Sequence, residues 1–111
     1  MNTDSCDMIR IPLDQRETLY GDQCKPGMFL WNDSVREVDG VEYRCKTLWA
    51  IYPDGSIGAL PVRPVPPELS HVNGGNSWEW DGNEDRPTLS PSVHHIGRWH
   101  GYVRNGRMES C

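Results

Sequence analysis

The sequence predicts a mainly β fold, a small antiparallel meander or curled sheet with at most one short helix. Three observations carry this. Asp39-Gly40, Pro53-Asp54-Gly55 and Asn105-Gly106 stand between strand-like runs, and Asp-Gly or Asn-Gly supplies the positive φ that a two-residue hairpin loop needs. Residues 41–52 alternate apolar and polar side chains with the period of a strand. Nine Pro and eleven Gly spread through the chain interrupt any long helix and exclude a bundle or coiled coil. At 111 residues the chain has the size of one domain, so 1–111 is read as a single β-rich domain.

Leu13 to Tyr20 is the one helical candidate, with Asp14 and Glu17 near its start and Gly21 after its end. The Asp39-Gly40 loop sets Val38 opposite Val41 and Arg36 opposite Tyr43. In the strand that follows, Val41, Tyr43, Cys45, Thr47, Trp49 and Ile51 form the expected core face, with Cys45 a buried thiol. From Leu48 onward the even positions Leu48, Ala50 and Tyr52 are apolar too, so this half is central in the sheet or covered by the Pro-rich connection Pro61 to Pro67. Ser70 to Ser77 reads as loop. The Asn105-Gly106 loop pairs Arg104 with Arg107, Val103 with Met108, Tyr102 with Glu109, Gly101 with Ser110 and His100 with Cys111. Trp99, Val103 and Met108 then share the core side, and the C-terminal third packs on the long strand through its tryptophans.

Charge narrows the partners. The net charge is -5, which argues against nucleic acid because phosphate contacts need many Lys and Arg. Residues 1–60 hold 6 basic and 10 acidic side chains, whereas Arg86, Arg98, Arg104 and Arg107 face only Glu109 after residue 85. No apolar run approaches the roughly 20 residues of a membrane span, so a membrane is not an expected partner. Met1 to Leu13 lacks the apolar core of a secretion signal, and cytoplasm, that of a host cell, is the expected location. The four cysteines, with no C-x-x-C pair, read as free thiols.

Chemical motifs are sparse. Asp81-Gly82-Asn83-Glu84-Asp85 opens like a calcium loop, but Arg86 replaces its turn glycine and Ser92 its last carboxylate. The carboxylates Glu79, Asp81, Glu84 and Asp85 sit among Gly and Asn, without the desolvation that separates an acid from a base. No G-x-S-x-G, P-loop or G-x-G-x-x-G occurs, and no assembled nucleophile is visible, so a non-enzymatic protein is expected. Trp and Arg favour interaction hot spots, which makes Arg98, Trp99, Tyr102, Arg104 and Arg107, with Glu79 and Asp81, the expected binding residues. His100 and Cys111, opposite one another in the last hairpin with Cβ atoms roughly 5 Å apart, suit two ligands of a tetrahedral zinc. His94 or His95 and Cys24 are the candidates to complete it. No cofactor is expected otherwise.

Trp78-Glu79-Trp80-Asp81-Gly82-Asn83, Arg86-Pro87-Thr88-Leu89-Ser90-Pro91-Ser92-Val93 and His100 to Met108 together resemble a family of small phage and prophage proteins. In that family a W-x-W-N-G, P-T-x-S-P-S and C-H-x-F-x-R-x-G series recurs. Pro26-Gly27-Met28-Phe29-Leu30-Trp31 is similar to its upstream strand. The resemblance implies a small acidic phage-type protein without catalysis. It would inhibit a host process or defence system, as anti-CRISPR proteins do, through contact with a protein partner. Two alternatives stay open: a zinc-binding accessory module with a degenerate His/Cys site, and a structural virion component. Family members carry a close Cys pair after the upstream strand and a Cys-His doublet that look like a metal site, whereas the region following Trp31 here offers only Cys45, and Trp99 stands before His100.

Overall fold

A computed structural model describes residues 5–22, 24–62, 77–95 and 97–110. Its strands are β1 (Ser5–Asp7), β2 (Ile9–Arg10), β3 (Met28–Val38), β4 (Val41–Ile51), β5 (Ile57–Val62), β6 (Glu79–Trp80), β7 (Leu89–Ser90), β8 (Val93–His95), β9 (Trp99–Arg104) and β10 (Arg107–Ser110). They form two four-stranded sheets, β1-β10-β9-β8 and β2-β3-β4-β5, and a ribbon of β6 and β7. Within these sheets the strands pair antiparallel except β2 with β3, and an isolated parallel bridge joins Val62 to Trp78. The mainly β expectation holds, with one closure that no local signal announces. The N-terminal β1 crosses to the C-terminal sheet, where Ser5 to Asp7 pair with Glu109 to Arg107.

Local turn chemistry sets the registers. Asp39 and Gly40 have φ of 51° and 79°, Asn105 and Gly106 of 48° and 74°, the left-handed pairs that match hairpin twist. Val38 faces Val41 and Arg36 faces Tyr43. The last hairpin pairs Arg104 with Arg107, Val103 with Met108, Tyr102 with Glu109 and Gly101 with Ser110, as its loop predicts. At the middle turn the Asp54 carboxylate accepts from the backbone N–H and hydroxyl of Ser56 at 2.9 and 2.6 Å. Leu13–Leu19 forms a 3-10 helix with a non-helical Gln15 inside it. So short a segment makes too few bonds to nucleate an α-helix, and tighter turns are its usual form.

The principal core joins the two sheets. Phe29, Leu48, Ala50, Tyr52 and Leu60 meet Val93, Trp99, Val103 and Met108, each at most 5% exposed, and each large side chain contributes about 1.5–3 kcal/mol by leaving water. Tyr52 stacks on Trp99 with ring centroids 4.9 Å apart. The main core face of β4 is therefore its even one, a correction to the odd face read from alternation. The odd residues Trp49 and Ile51 form a smaller cluster on the sheet's other side with Ile11, Leu19 and Leu30, beneath the 3-10 helix. Val41 is half exposed. Pro61 belongs to β5, paired with Thr47, rather than to a cover, and the Cys45 side chain, the rest of that Pro-rich connection from residue 63 and most of the 70–77 loop lie outside the described residues. No helix among the described residues is long and apolar enough to cross a membrane.

Candidate active site

The segment from Pro87 to His95 carries the most concentrated chemistry. Leu89 and Ser90 pair with Trp80 and Glu79, Pro91 turns the chain, and Val93, fully buried, pairs with Gly101. Because side chains alternate, burial of Val93 sends Ser92 and His94 to the opposite, solvent-facing side. His94 lies across from His100, and their rings stack with centroids 4.4 Å apart and planes 21° from parallel. Ser77, Trp78, Pro91, Ser92 and His94 line a cleft of about 150 Å³. Trp78 is buried, and its indole N–H donates to the Ser92 carbonyl at 3.4 Å, which fixes the backbone under the serine.

A hydroxyl and an imidazole in one cleft are the parts of nucleophilic acyl transfer. Two residues apart in extended chain, the Cα atoms of Ser92 and His94 are about 6.6 Å apart. The structure gives no Ser92–His94 hydrogen bond, and such bonds often tighten only once substrate is bound.

The residues expected from sequence are distributed differently. Trp99 belongs to the core, its indole N–H donating to Ser110 Oγ at 2.8 Å. Arg98 donates to the Ile57 carbonyl, Arg107 to Asp7 and Ser5, and Arg104 lies over the Tyr102 ring at 3.9 Å. Glu79 is exposed on β6. The Asp81 loop is shaped by its own side chains: the Asp81 carboxylate accepts the N–H groups of Asn83 and Thr88, and the Asn83 side chain accepts those of Asp85 and Arg86.

Glu84 and Asp85 are held by cations: Lys46 lies 3.0 Å from Glu84, and Arg10 lies 2.9 Å from Asp85. Lys46 also stands over the rings of Trp31 and Trp80, at 5.4 and 5.5 Å from their centroids. Burial works against its charge, but hydrogen bonds to Glu84 and Asp33 outweigh it and lift the ammonium above its ordinary pKa. These carboxylates brace a loop.

For the zinc set, His100 is on the exposed face of β9, beside His94, and Cys24 is exposed in the loop leading to β3 of the other sheet. Cys111 and the His95 side chain lie outside the described residues. No group of three or more His, Cys, Asp or Glu suited to a metal ion forms among the described residues.

Sequence reasoning missed Ser77, Ser92 and His94 as a group. The available signal was the spacing Ser92-Val93-His94 at the end of the P-T-L-S-P-S block, which puts hydroxyl and imidazole on one face of any strand.

Residues 55–111, 57 of the 111, match the family model of a bacterial ubiquitination-like system serine protease, BubE. No curated protein and no solved structure matches the chain. The family's description overturns the expectation of a non-enzymatic protein. That expectation rested on the absence of familiar nucleophile motifs, and a serine set at a strand entrance needs none of them.

Proposed function

Because the chain belongs to the bacterial ubiquitination-like system serine protease (BubE) family, we propose that it is a serine-dependent acyl hydrolase that cleaves a protein substrate, with Ser92 as nucleophile and His94 as general base. The observation that carries this is the cleft inside the matched segment that both side chains line. Ser92 Oγ attacks the substrate carbonyl and its proton passes to His94. The intermediate collapses to an acyl-serine ester as the leaving amine takes that proton. A water molecule, deprotonated by His94, then releases the acid and restores the hydroxyl. Stacking on His100 restrains the His94 ring. Ser77 supplies a second hydroxyl in the cleft, but Ser92 is tied to the imidazole by strand geometry and to the core by Trp78.

This reading replaces the contact inhibitor expected from sequence, whose premise was the absence of catalytic apparatus. A protein partner is retained, as the substrate.

The test is covalent labelling with a fluorophosphonate, mapped by peptide mass spectrometry. One adduct per chain at Ser92 is expected, lost in Ser92→Ala, kept in Ser77→Ala and Ser90→Ala, and slowed by about 100-fold or more in His94→Ala. Labelling at another serine, or none in the folded wild type, overturns the assignment.

A further inference from the structure

A second cavity lies on the far side of the β2–β5 sheet from the Ser92 cleft. It encloses about 300 Å³ between the 3-10 helix and β3–β4, the lower end of the size range of ligand sites. Leu19, Leu30 and Trp49 give it an apolar lining, and Arg16, Glu17 and Asn32 add polar groups.

The donors around this cavity are unusual among the described residues. Trp31, Trp78, Trp80 and Trp99 each donate their indole N–H to a protein oxygen. Trp49 is the one tryptophan without such an acceptor among the described residues. Arg10, Arg86, Arg98 and Arg107 each bond a protein oxygen, and Arg104 covers Tyr102. Arg16 has no partner of either kind among the described residues, and neither does the Asn32 side chain. Three donors without a partner among the described residues, one of them cationic, thus line one apolar cavity.

We propose that this cavity binds the C-terminal residue of a peptide chain, with an apolar side chain seated on Leu19, Leu30 and Trp49 and the terminal carboxylate on Arg16. A planar guanidinium matches the two oxygens of a carboxylate, and the Trp49 indole and Asn32 amide offer that group further donors. Leu13 and Tyr20 also line the cavity while 42% and 68% exposed. They give the preceding residues of a peptide an apolar surface to cover, which a lone small acid would leave wet. Glu17 repels a second acidic group and can accept a backbone N–H from the entering chain. The proposal uses neither Ser92 nor His94.

Titration of the ¹⁵N-labelled protein with acetyl-Gly-Gly-Phe tests it, read at the Trp49 indole signal, which Trp49→Phe identifies. The free acid is expected to shift that signal saturably, its C-terminal amide to bind about tenfold more weakly or worse, and Arg16→Gln to reduce the acid to the level of the amide. 3-Phenylpropionate is expected to bind about tenfold more weakly than the tripeptide acid, because it covers neither Leu13 nor Tyr20. Ser92→Ala is expected to bind the acid as wild type does, whatever the outcome of labelling at Ser92. Equal binding of acid and amide, an unmoved Trp49 signal, or equal binding of phenylpropionate and peptide overturns the proposal.

Discussion

Replacing Tyr52 by Phe will remove part of the protein's instability in alkali. The Tyr52 side chain is fully buried and stacked on Trp99. Burial is the main reason its phenol resists ionisation, the nearby Asp54 adds to it, Arg98 opposes, and the net pKa stands far above the ordinary value near 10. The sign follows directly. In the unfolded chain the phenol loses its proton near pH 10, while in the folded protein it keeps it. The stability that the protonated phenol confers is complete below pH 10 and falls as pH rises beyond it. For one such group the loss is about 0.4 kcal/mol at pH 10 and about 1.4 kcal/mol at pH 11. Urea unfolding at pH 8 and pH 11 measures it. With a slope of about 1–2 kcal/mol per molar, the wild-type midpoint should fall between the two conditions by about 0.7–1.4 M more than that of Tyr52→Phe. The other groups that titrate in alkali are common to both proteins and cancel. Parallel losses in the two proteins would refute the reasoning, since they would mean that Tyr52 ionises as readily folded as unfolded.

Two further outcomes follow from packing. Gly101→Ala should cost about 1–3 kcal/mol, because its methyl group would enter the space of the Trp99 ring and the Glu109 carbonyl; a thermal midpoint lowered by less than about 2 °C would show slack that the structure does not have. Iodoacetamide with peptide mapping should modify the exposed Cys24 well before Cys6. The Cys6 thiol packs on the core and is pushed up chiefly by burial, with Arg107 opposing and Asp7 assisting, so less thiolate is available. Equal rates would refute that burial.

What could be read from sequence divides by range. The Asp39-Gly40 and Asn105-Gly106 hairpins were legible to the residue, because turn chemistry and strand pairing there are decided within a few positions. The core face of β4 was not. Alternation shows which residues share a side, but in Leu48 to Tyr52 both sides are apolar, and only the second sheet and the 3-10 helix decide which is the deeper. The crossing of β1 to β10 joins residues about a hundred positions apart, for which one sequence holds no local signal. The site failed for a related reason. Arg98, Trp99, Tyr102, Arg104 and Arg107 looked like a binding face because charge and aromatic residues interleave along β9 and β10. In the fold those arginines are engaged by the chain itself and Trp99 is internal. The hydroxyl and imidazole of the cleft, two positions apart, were in plain view but lacked a familiar motif around them.

The matched segment and the cooperative unit do not coincide. Residues 55–111 contribute β5 to β10, including Ser92 and His94. Yet β5 finds its hydrogen-bonding partner in β4, and β10 has β1 on one of its edges. The inner face of β8 and β9, which holds Val93, Trp99 and Val103 in place, packs on Phe29, Leu48, Ala50 and Tyr52 from the unmatched half. Even the last turn is held in part from outside, since Met8 donates to the Gly106 carbonyl at 2.9 Å. The orientation of Ser92 and His94 depends on burial of Val93 between them, and that burial is supplied largely by β3 and β4. The first half of the chain is thus part of the site's construction: it makes the inward side of β8 apolar, and alternation along the strand then leaves the outward side to the chemistry.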